Sequence, residues 1–193
     1  SVVIQKHSMK IKGKEYCKWV DDNYLLVGKG YFYKGEFDDA IKTFLYIKNE
    51  YPKNDIRFSA SIWALRSYVQ KRDFLSAELE LSELKQEKRM PNTFNLDFVL
   101  ASAEYYLFTK NTDLALEQLK KAGGQIKRKR NKVRYSYIMA QIHQQNNNYI
   151  EAKKQYEKVT KSNAEYEMIF NAKMNLALLL EKGSRDLEKM RGN

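Results

Sequence analysis

Apolar and small residues recur along the chain with a spacing that predicts pairs of antiparallel helices. In residues 21–54, a helix-turn-helix frame of about 34 residues has small residues at Gly28 and Ala40. Aromatic residues follow them, at Tyr31 and Phe44. The small residues let two helices approach closely, and the aromatic rings fill the space beside them. The pattern therefore predicts a helical hairpin in this stretch.

The same frame recurs downstream. Further units are predicted at residues 58–91, 96–129 and 133–166, and a partial fifth unit at residues 167–193. The small position of the second helix is an alanine in all four complete units. These alanines, 37, 38 and 37 residues apart, are Ala40, Ala77, Ala115 and Ala152.

Residues that end or begin helices stand between the predicted helices. Gly35 permits a tight turn in the first unit, and Asp38 is predicted to cap the second helix of that unit. Asp73 and Asp113 are predicted to cap the corresponding helices of the next two units. Pro52 cannot continue a helix, so the connection to the second unit begins there.

Composition agrees with this pattern. Eight Gly and two Pro interrupt the 193 residues, and 43% of the residues are hydrophobic, which is enough for a core. Four consecutive stretches that match one helix-turn-helix pattern indicate tetratricopeptide (TPR) repeats. We therefore predict an all-α fold, a right-handed TPR α-solenoid of antiparallel helical hairpins, in a single domain over residues 1–193.

Both ends of the predicted array are open. Residues 1–20 are predicted to form a preceding helix, and residues 166–182 an amphipathic helix, with Ser184 capping a further helix. One stripe of the amphipathic helix consists of Met168, Ala172, Leu176 and Leu179. Because solenoid repeats need neighbours to bury their faces, we expect the chain to be part of a longer protein.

The sequence offers little for catalysis. Cys17 is the single cysteine, which excludes an internal disulfide and a multi-cysteine metal cage. There is no phosphate-binding glycine loop, no paired-histidine motif and no nucleophile elbow. His143 stands where three other units have tyrosine, and we interpret it as a packing residue. We therefore predict no enzymatic activity, no cofactor, no metal and no small-molecule substrate.

A TPR solenoid binds partners in a concave groove that the first helix of each repeat lines. The side chains predicted to line it are a mixture of aliphatic, aromatic and charged residues, as in protein-binding surfaces. They are Leu25, Lys29, Phe32, Tyr33, Ile62, Arg66, Leu100, Glu104, Phe108, Tyr137 and Gln141. The alternative is that neighbouring repeats, or parts of the protein beyond this segment, cover some of them.

Positive charge is concentrated between residues 118 and 149, which contain no acidic residue. Six cations form what we call the basic ridge: Lys127, Arg128, Lys129, Arg130, Lys132 and Arg134. They follow Gly123 and Gly124, so we predict that they lie on the loop into the fourth unit. An acidic protein or an anionic membrane surface would suit the ridge. Nucleic acid is disfavoured because no recognition motif is present, and a solvated loop without a ligand is the simplest alternative.

The amino-acid sequence of the first unit resembles that of a known family. Residues 18–35, together with residues 40–44 and the Tyr51-Pro52 turn, resemble the TPR lipoproteins of Bacteroidetes gliding motility and type IX secretion, and more broadly the envelope TPR lipoproteins. The resemblance implies a scaffold on the periplasmic side of the outer membrane that binds components of a protein secretion complex. The alternative is a cytosolic regulatory TPR protein that binds a peptide or nucleic acid through its basic segment.

Overall fold

A computed structural model describes the backbone of residues 10–11, 14–15 and 19–191, and the side chains of residues 19–181. Nine α-helices occupy this part of the chain, which confirms the all-α class. They are α1 Val20–Lys34, α2 Phe37–Glu50, α3 Ile56–Lys71, α4 Phe74–Gln86, α5 Asn95–Phe108, α6 Thr112–Gln125, α7 Lys129–Gln145, α8 Tyr149–Thr160 and α9 Tyr166–Arg191. None of these helices is long and apolar enough to span a membrane.

Residues 10–11 and 14–15, ahead of α1, are extended rather than helical. Lys10–Ile11 pairs antiparallel with Lys14–Glu15, with Lys10 opposite Glu15. The helix predicted over residues 1–20 is therefore wrong at these four residues. The remainder of that prediction up to residue 18, including Cys17, lies outside the described residues.

The chain divides into two compact units, residues 1–111 and 112–193. The boundary falls within the third predicted repeat, so that α5 belongs to the first unit and α6 to the second. The single domain and the right-handed solenoid stay predictions.

In the first unit, α3 occupies the centre. It packs against α1, α2, α4 and α5. Its small residues Ala60 and Ala64 are completely buried, and they join a core cluster with Phe44 and Ile47 of α2. Burial on several sides explains why nine of the 16 residues of α3 are buried.

The close approach predicted for the first hairpin is present. Gly28 of α1 lies against the ring of Phe44, and a Cβ on Gly28 would lie 2.5 Å from Phe44 Cε1. Ala40 and Phe44 are both completely buried. The two helices thus meet through a glycine on one side and an aromatic ring on the other.

The helix ends follow the predictions in part. Gly35 ends α1 with a φ of 82°, in the left-handed region that favours glycine. The Asp73 side chain caps α4 by accepting a hydrogen bond from the Ser76 backbone nitrogen at 3.1 Å. The caps predicted at Asp38 and Asp113 are wrong, because each is the second residue of its helix and so lies within the first turn.

The second unit contains α6 to α9. Its core cluster unites Ala140 of α7, Ala152 and Tyr156 of α8, and Ala172 and Leu179 of α9. Met168 and Leu176 are partly buried against the same cluster, so all four residues of the stripe predicted for α9 face this core. The helix start predicted at Ser184 is wrong, because the α9 backbone runs without interruption to Arg191.

Candidate protein-binding site

Predicted groove residues of α1 and α3 meet around an indole ring in the first unit. The Trp63 ring lies 5.2 Å from the Phe32 ring and 5.8 Å from the Tyr33 ring, with edge-to-face geometry in both pairs. Lys29 Nζ lies 5.0 Å from the centre of the Trp63 ring, and Arg66 Cζ lies 4.5 Å from it. We call these five residues, Lys29, Phe32, Tyr33, Trp63 and Arg66, the aromatic–arginine cluster.

An ion pair ties the cluster to α5. Arg66 Nε lies 2.8 Å from Glu104 Oε2, and Gln70 Nε2 donates a hydrogen bond to Glu104 Oε1 at 2.6 Å. Both groups of the pair are partly exposed, with 29% of the Arg66 side chain and 20% of the Glu104 side chain accessible. Because both carboxylate oxygens accept bonds from α3, Glu104 fixes the position of the guanidinium above the aromatic rings.

Accessibility separates the predicted groove residues of this unit into two groups. Tyr33 is 73% exposed, and Lys29, Arg66, Leu100, Glu104 and Phe108 are partly exposed. Ile62 is only 2% exposed and Phe32 only 9%, so both belong mainly to the core. Leu25 is partly buried against the same core cluster as Phe32. The available surface is thus formed mainly by Tyr33, the edge of Trp63 and the charged heads beside them.

Several participants were not among the predicted site residues. Trp63 is the centre of the cluster, Gln70 holds Glu104, and Arg72 Cζ lies 4.5 Å from the centre of the Phe108 ring. A signal for Trp63 was available, because it lies three residues before Arg66, on the same side of a helix, and tryptophan and arginine are enriched in interface hot spots. Arg72 has a φ of 68°, a left-handed conformation that sequence gives no reason to expect of arginine.

The cluster carries more positive than negative charge. Its two cations are Lys29 and Arg66, and the Glu104 carboxylate that pairs with Arg66 accepts a hydrogen bond at each oxygen. Cations beside aromatic rings offer an ionic partner to a carboxylate and an apolar surface to hydrophobic side chains. The arrangement therefore suits a peptide segment that combines aromatic or aliphatic residues with an acidic one.

The two predicted groove residues of the second unit lie on α7. Tyr137 is partly buried, and its ring lies 5.7 Å from the Tyr156 ring of α8. Gln141 is exposed. Tyr137 therefore serves mainly to pack α7 against α8.

All six residues of the basic ridge are exposed, but the loop predicted to carry them is short. Gly123 and Gly124 lie inside α6, and α7 already begins at Lys129. Only Lys127 and Arg128 are therefore outside a helix. Arg130 forms an ion pair with Glu165, the residue before α9.

The second unit also contains a cavity of about 410 Å³ beside α6 and the end of α7. Lys120, His143 and Asn146 are among its lining residues. Burial, followed by the nearby positive charge of Lys120, lowers the pKa of His143. His143 is 6% exposed, as a packing residue would be. In the described part of the chain, no three His, Cys, Asp or Glu side chains form a group that could hold a metal ion.

Comparison with known proteins identified no similar family model or curated protein. The TPR assignment therefore rests on the sequence pattern.

Proposed function

We propose that the protein is a non-enzymatic scaffold of TPR-like helical hairpins that binds another protein through the aromatic–arginine cluster. The observation that supports this most is the arrangement around Trp63, where Lys29 and Arg66 lie over one indole ring and Tyr33 stands exposed at its edge. Tryptophan, tyrosine and arginine are the residues that contribute most to protein interfaces. The α1 and α3 helices hold these groups on rigid elements, as a preformed binding surface requires.

The proposed ligand is a peptide segment with an acidic residue flanked by aromatic or aliphatic residues. Its carboxylate would meet the guanidinium of Arg66, and its apolar side chains would meet Tyr33 and Trp63. A charge-assisted contact to arginine is stronger than a neutral hydrogen bond, and it would orient the segment across α1 and α3.

Selection from a random library of about 12-residue peptides displayed on phage tests this proposal, followed by affinity measurements on the selected peptides. We expect Tyr33→Ala and Arg66→Ala to weaken binding by about tenfold or more each. Leu79→Ala is the matched control, because Leu79 is 62% exposed on α4 and lies outside the cluster. Tyr33 is suited to the test because its exposure makes loss of folding on truncation improbable.

Two results would contradict the proposal. One is a set of selected peptides that bind Tyr33→Ala and Arg66→Ala as tightly as the original protein. The other is a set in which Leu79→Ala weakens binding as much as the cluster variants do, since the effect would then not be local.

We further propose, on the resemblance of residues 18–52 alone, that this scaffold acts in a bacterial envelope complex for protein secretion or gliding motility, as a lipoprotein on the periplasmic side of the outer membrane. Fractionation of cells that express the full-length protein tests the compartment. Recovery with the outer membrane is expected. Recovery with the cytosol, together with a full-length sequence that has no export signal, would favour the regulatory cytosolic protein instead.

A further inference from the structure

The last helix presents apolar side chains on two faces. Its inner face packs Ala172 and Leu179 into the core of the second unit. Its outer face, on the other side, consists of Tyr166, Phe170, Met174, Ala177 and Leu178, all of which are exposed. The exposed fractions of the four large residues range from 47% for Leu178 to 82% for Tyr166.

The outer face forms a continuous stripe. Tyr166, Phe170, Met174 and Leu178 follow one another at intervals of four residues, so they lie along one side of the helix over about 18 Å. The Tyr166 and Phe170 rings are stacked with their centres 6.2 Å apart. Contiguous apolar surface of this kind on a soluble helix marks a contact site.

The preceding hairpin of the same unit shows what covers such a face. Val133, Tyr137 and Ala140 of α7 pack against a cluster that includes Ala152, Tyr156 and Val159 of α8. Phe170, Met174 and Ala177 of α9 occur at the same spacing as these three residues of α7, one repeat further along the chain. A helix seated on α9 as α8 is seated on α7 would therefore cover the outer face.

This geometry also fixes the direction of the added helix. The turn between α7 and α8 is three residues long, Asn146 to Asn148, and so α8 runs antiparallel to α7. An equivalent helix on α9 would run antiparallel to α9 and would end beside Tyr166, at the start of α9.

The basic ridge lies at that end. Arg130, in the first turn of α7, pairs with Glu165, the residue before α9, so the start of α9 lies near the exposed ridge residues Arg128, Lys129 and Lys132. The C-terminal end of a helix carries a partial negative charge, and acidic side chains there would add to it. Such an end would therefore meet positive charge in the second unit.

We propose that the outer face of α9 and the basic ridge together bind an amphipathic helix of a partner protein, which lies antiparallel to α9 with acidic residues at its C-terminal end. This binding site is separate from the aromatic–arginine cluster and does not depend on it.

An anionic membrane fits these observations less well. A membrane surface would favour cations distributed along both sides of the apolar stripe, whereas the ridge cations are gathered at one end of it. The exposed Glu167 also lies on α9 itself, next to Tyr166, where an anionic headgroup would be repelled.

Two labelled peptides of about 18 residues would test the proposal. Both form an amphipathic helix with the same apolar stripe and the same composition, but one carries its acidic residues in the last two turns and the other in the first two. Fluorescence anisotropy at about 50 mM salt measures the affinity of each for the whole protein. We expect the peptide with the acidic C-terminal end to bind more tightly than the other, by a factor of about ten or more. The comparison is stringent, because acidic residues at the N-terminal end make a free peptide more helical.

Variants on the protein distinguish the two parts of the site. Met174→Asp is expected to weaken binding of the preferred peptide about tenfold or more, because it puts a charge into the apolar stripe. Arg128→Glu combined with Lys132→Glu is expected to abolish the preference between the two peptides. These two substitutions place acidic residues at the start of α7, which favours the helix, so that lost binding would not be due to lost folding. Lys153→Glu, an exposed charge reversal on α8, is the matched control and should leave both affinities unchanged.

Equal affinity for the two peptides, or no binding of either, would overturn the proposal. Unchanged binding to Met174→Asp would also overturn it. If neither peptide binds but vesicles of phosphatidylglycerol do, and the ridge variant releases them, the surface is a membrane contact. Tyr33→Ala should bind the preferred peptide normally, so this test fails or succeeds independently of the one on the aromatic–arginine cluster.

Discussion

The contact between Gly28 and Phe44 predicts that alanine stabilises the protein at one glycine of α1 but not at another. Gly28 and Gly30 both lie in α1. An added Cβ at position 28 would lie 2.5 Å from Phe44 Cε1 and 2.9 Å from Phe44 Cζ, whereas a Cβ at position 30 would have nothing within 4 Å. Phe44 is completely buried, so its ring has little room to move away.

The magnitudes follow from two terms. Replacing glycine by alanine inside a helix contributes about 1 kcal/mol in favour of folding, and this term is common to both positions. Overpacking a filled core costs about 1 to 3 kcal/mol, and this term applies only at position 28. Gly30→Ala should therefore raise the free energy of unfolding by about 1 kcal/mol. The free energy of unfolding of Gly28→Ala should be lower than that of Gly30→Ala by about 1 to 3 kcal/mol.

Urea unfolding followed by far-ultraviolet circular dichroism measures both free energies. A double substitution adds an internal check, because Phe44→Leu removes the clash and should cost less stability in the Gly28→Ala protein than in the original one. Equal stability of the two alanine variants would show that α1 and α2 do not approach at Gly28 as described.

Two further predictions concern buried positions. Ala40→Leu and Ala115→Leu should each lower the free energy of unfolding by about 1 to 3 kcal/mol in urea titrations, and a neutral result at both would mean that the repeat phase is wrong. Burial raises the pKa of the Tyr156 hydroxyl from 10.0 to about 12. The folded protein thus holds this proton more tightly than the unfolded chain, and stability present below pH 10 should be lost as the pH rises, by roughly 2 kcal/mol at pH 12. Tyr156→Phe should show a flatter decline in unfolding titrations over this range, and an identical slope would contradict the assignment.

The spacing of small residues predicted the core contacts well because it encodes them directly. Ala40, Ala77, Ala115 and Ala152 are all completely buried. A small residue that recurs at one position of a repeat has few explanations besides close packing of helices. Periodicity alone thus located the interior of both units.

The spacing of residues could not predict which side chains of the groove are exposed. Ile62 and Arg66 both occur at predicted groove positions of α3, yet Ile62 is buried whereas Arg66 is partly exposed and pairs with Glu104. The difference depends on how closely α1 and α5 pack against α3. Sequence spacing fixes the direction of a side chain but not the distance of the next helix.

Helix boundaries were predicted less accurately than core positions, because several neighbouring residues can begin or end a helix. Asp73 directly precedes Phe74, the first residue of α4, whereas Asp38 follows Phe37, the first residue of α2. The same residue type is therefore a cap in one hairpin and part of the first turn in the other. Gly123 and Gly124 suggested a loop, but α6 continues through both, because about 1 kcal/mol per glycine is a small cost within a helix whose other face is buried.

The charges at the start of α7 are difficult to explain by folding. Arg128, Lys129 and Lys132 surround a helix end that already carries partial positive charge, where acidic residues would stabilise the helix by about 0.3 to 1 kcal/mol each. The first turn of α7 contains no acidic residue. A sequence selected for stability alone would not keep this arrangement, whereas a surface that receives the negative end of another helix would need it. The same charge pattern that destabilises α7 in isolation therefore specifies which end of a partner helix it would bind.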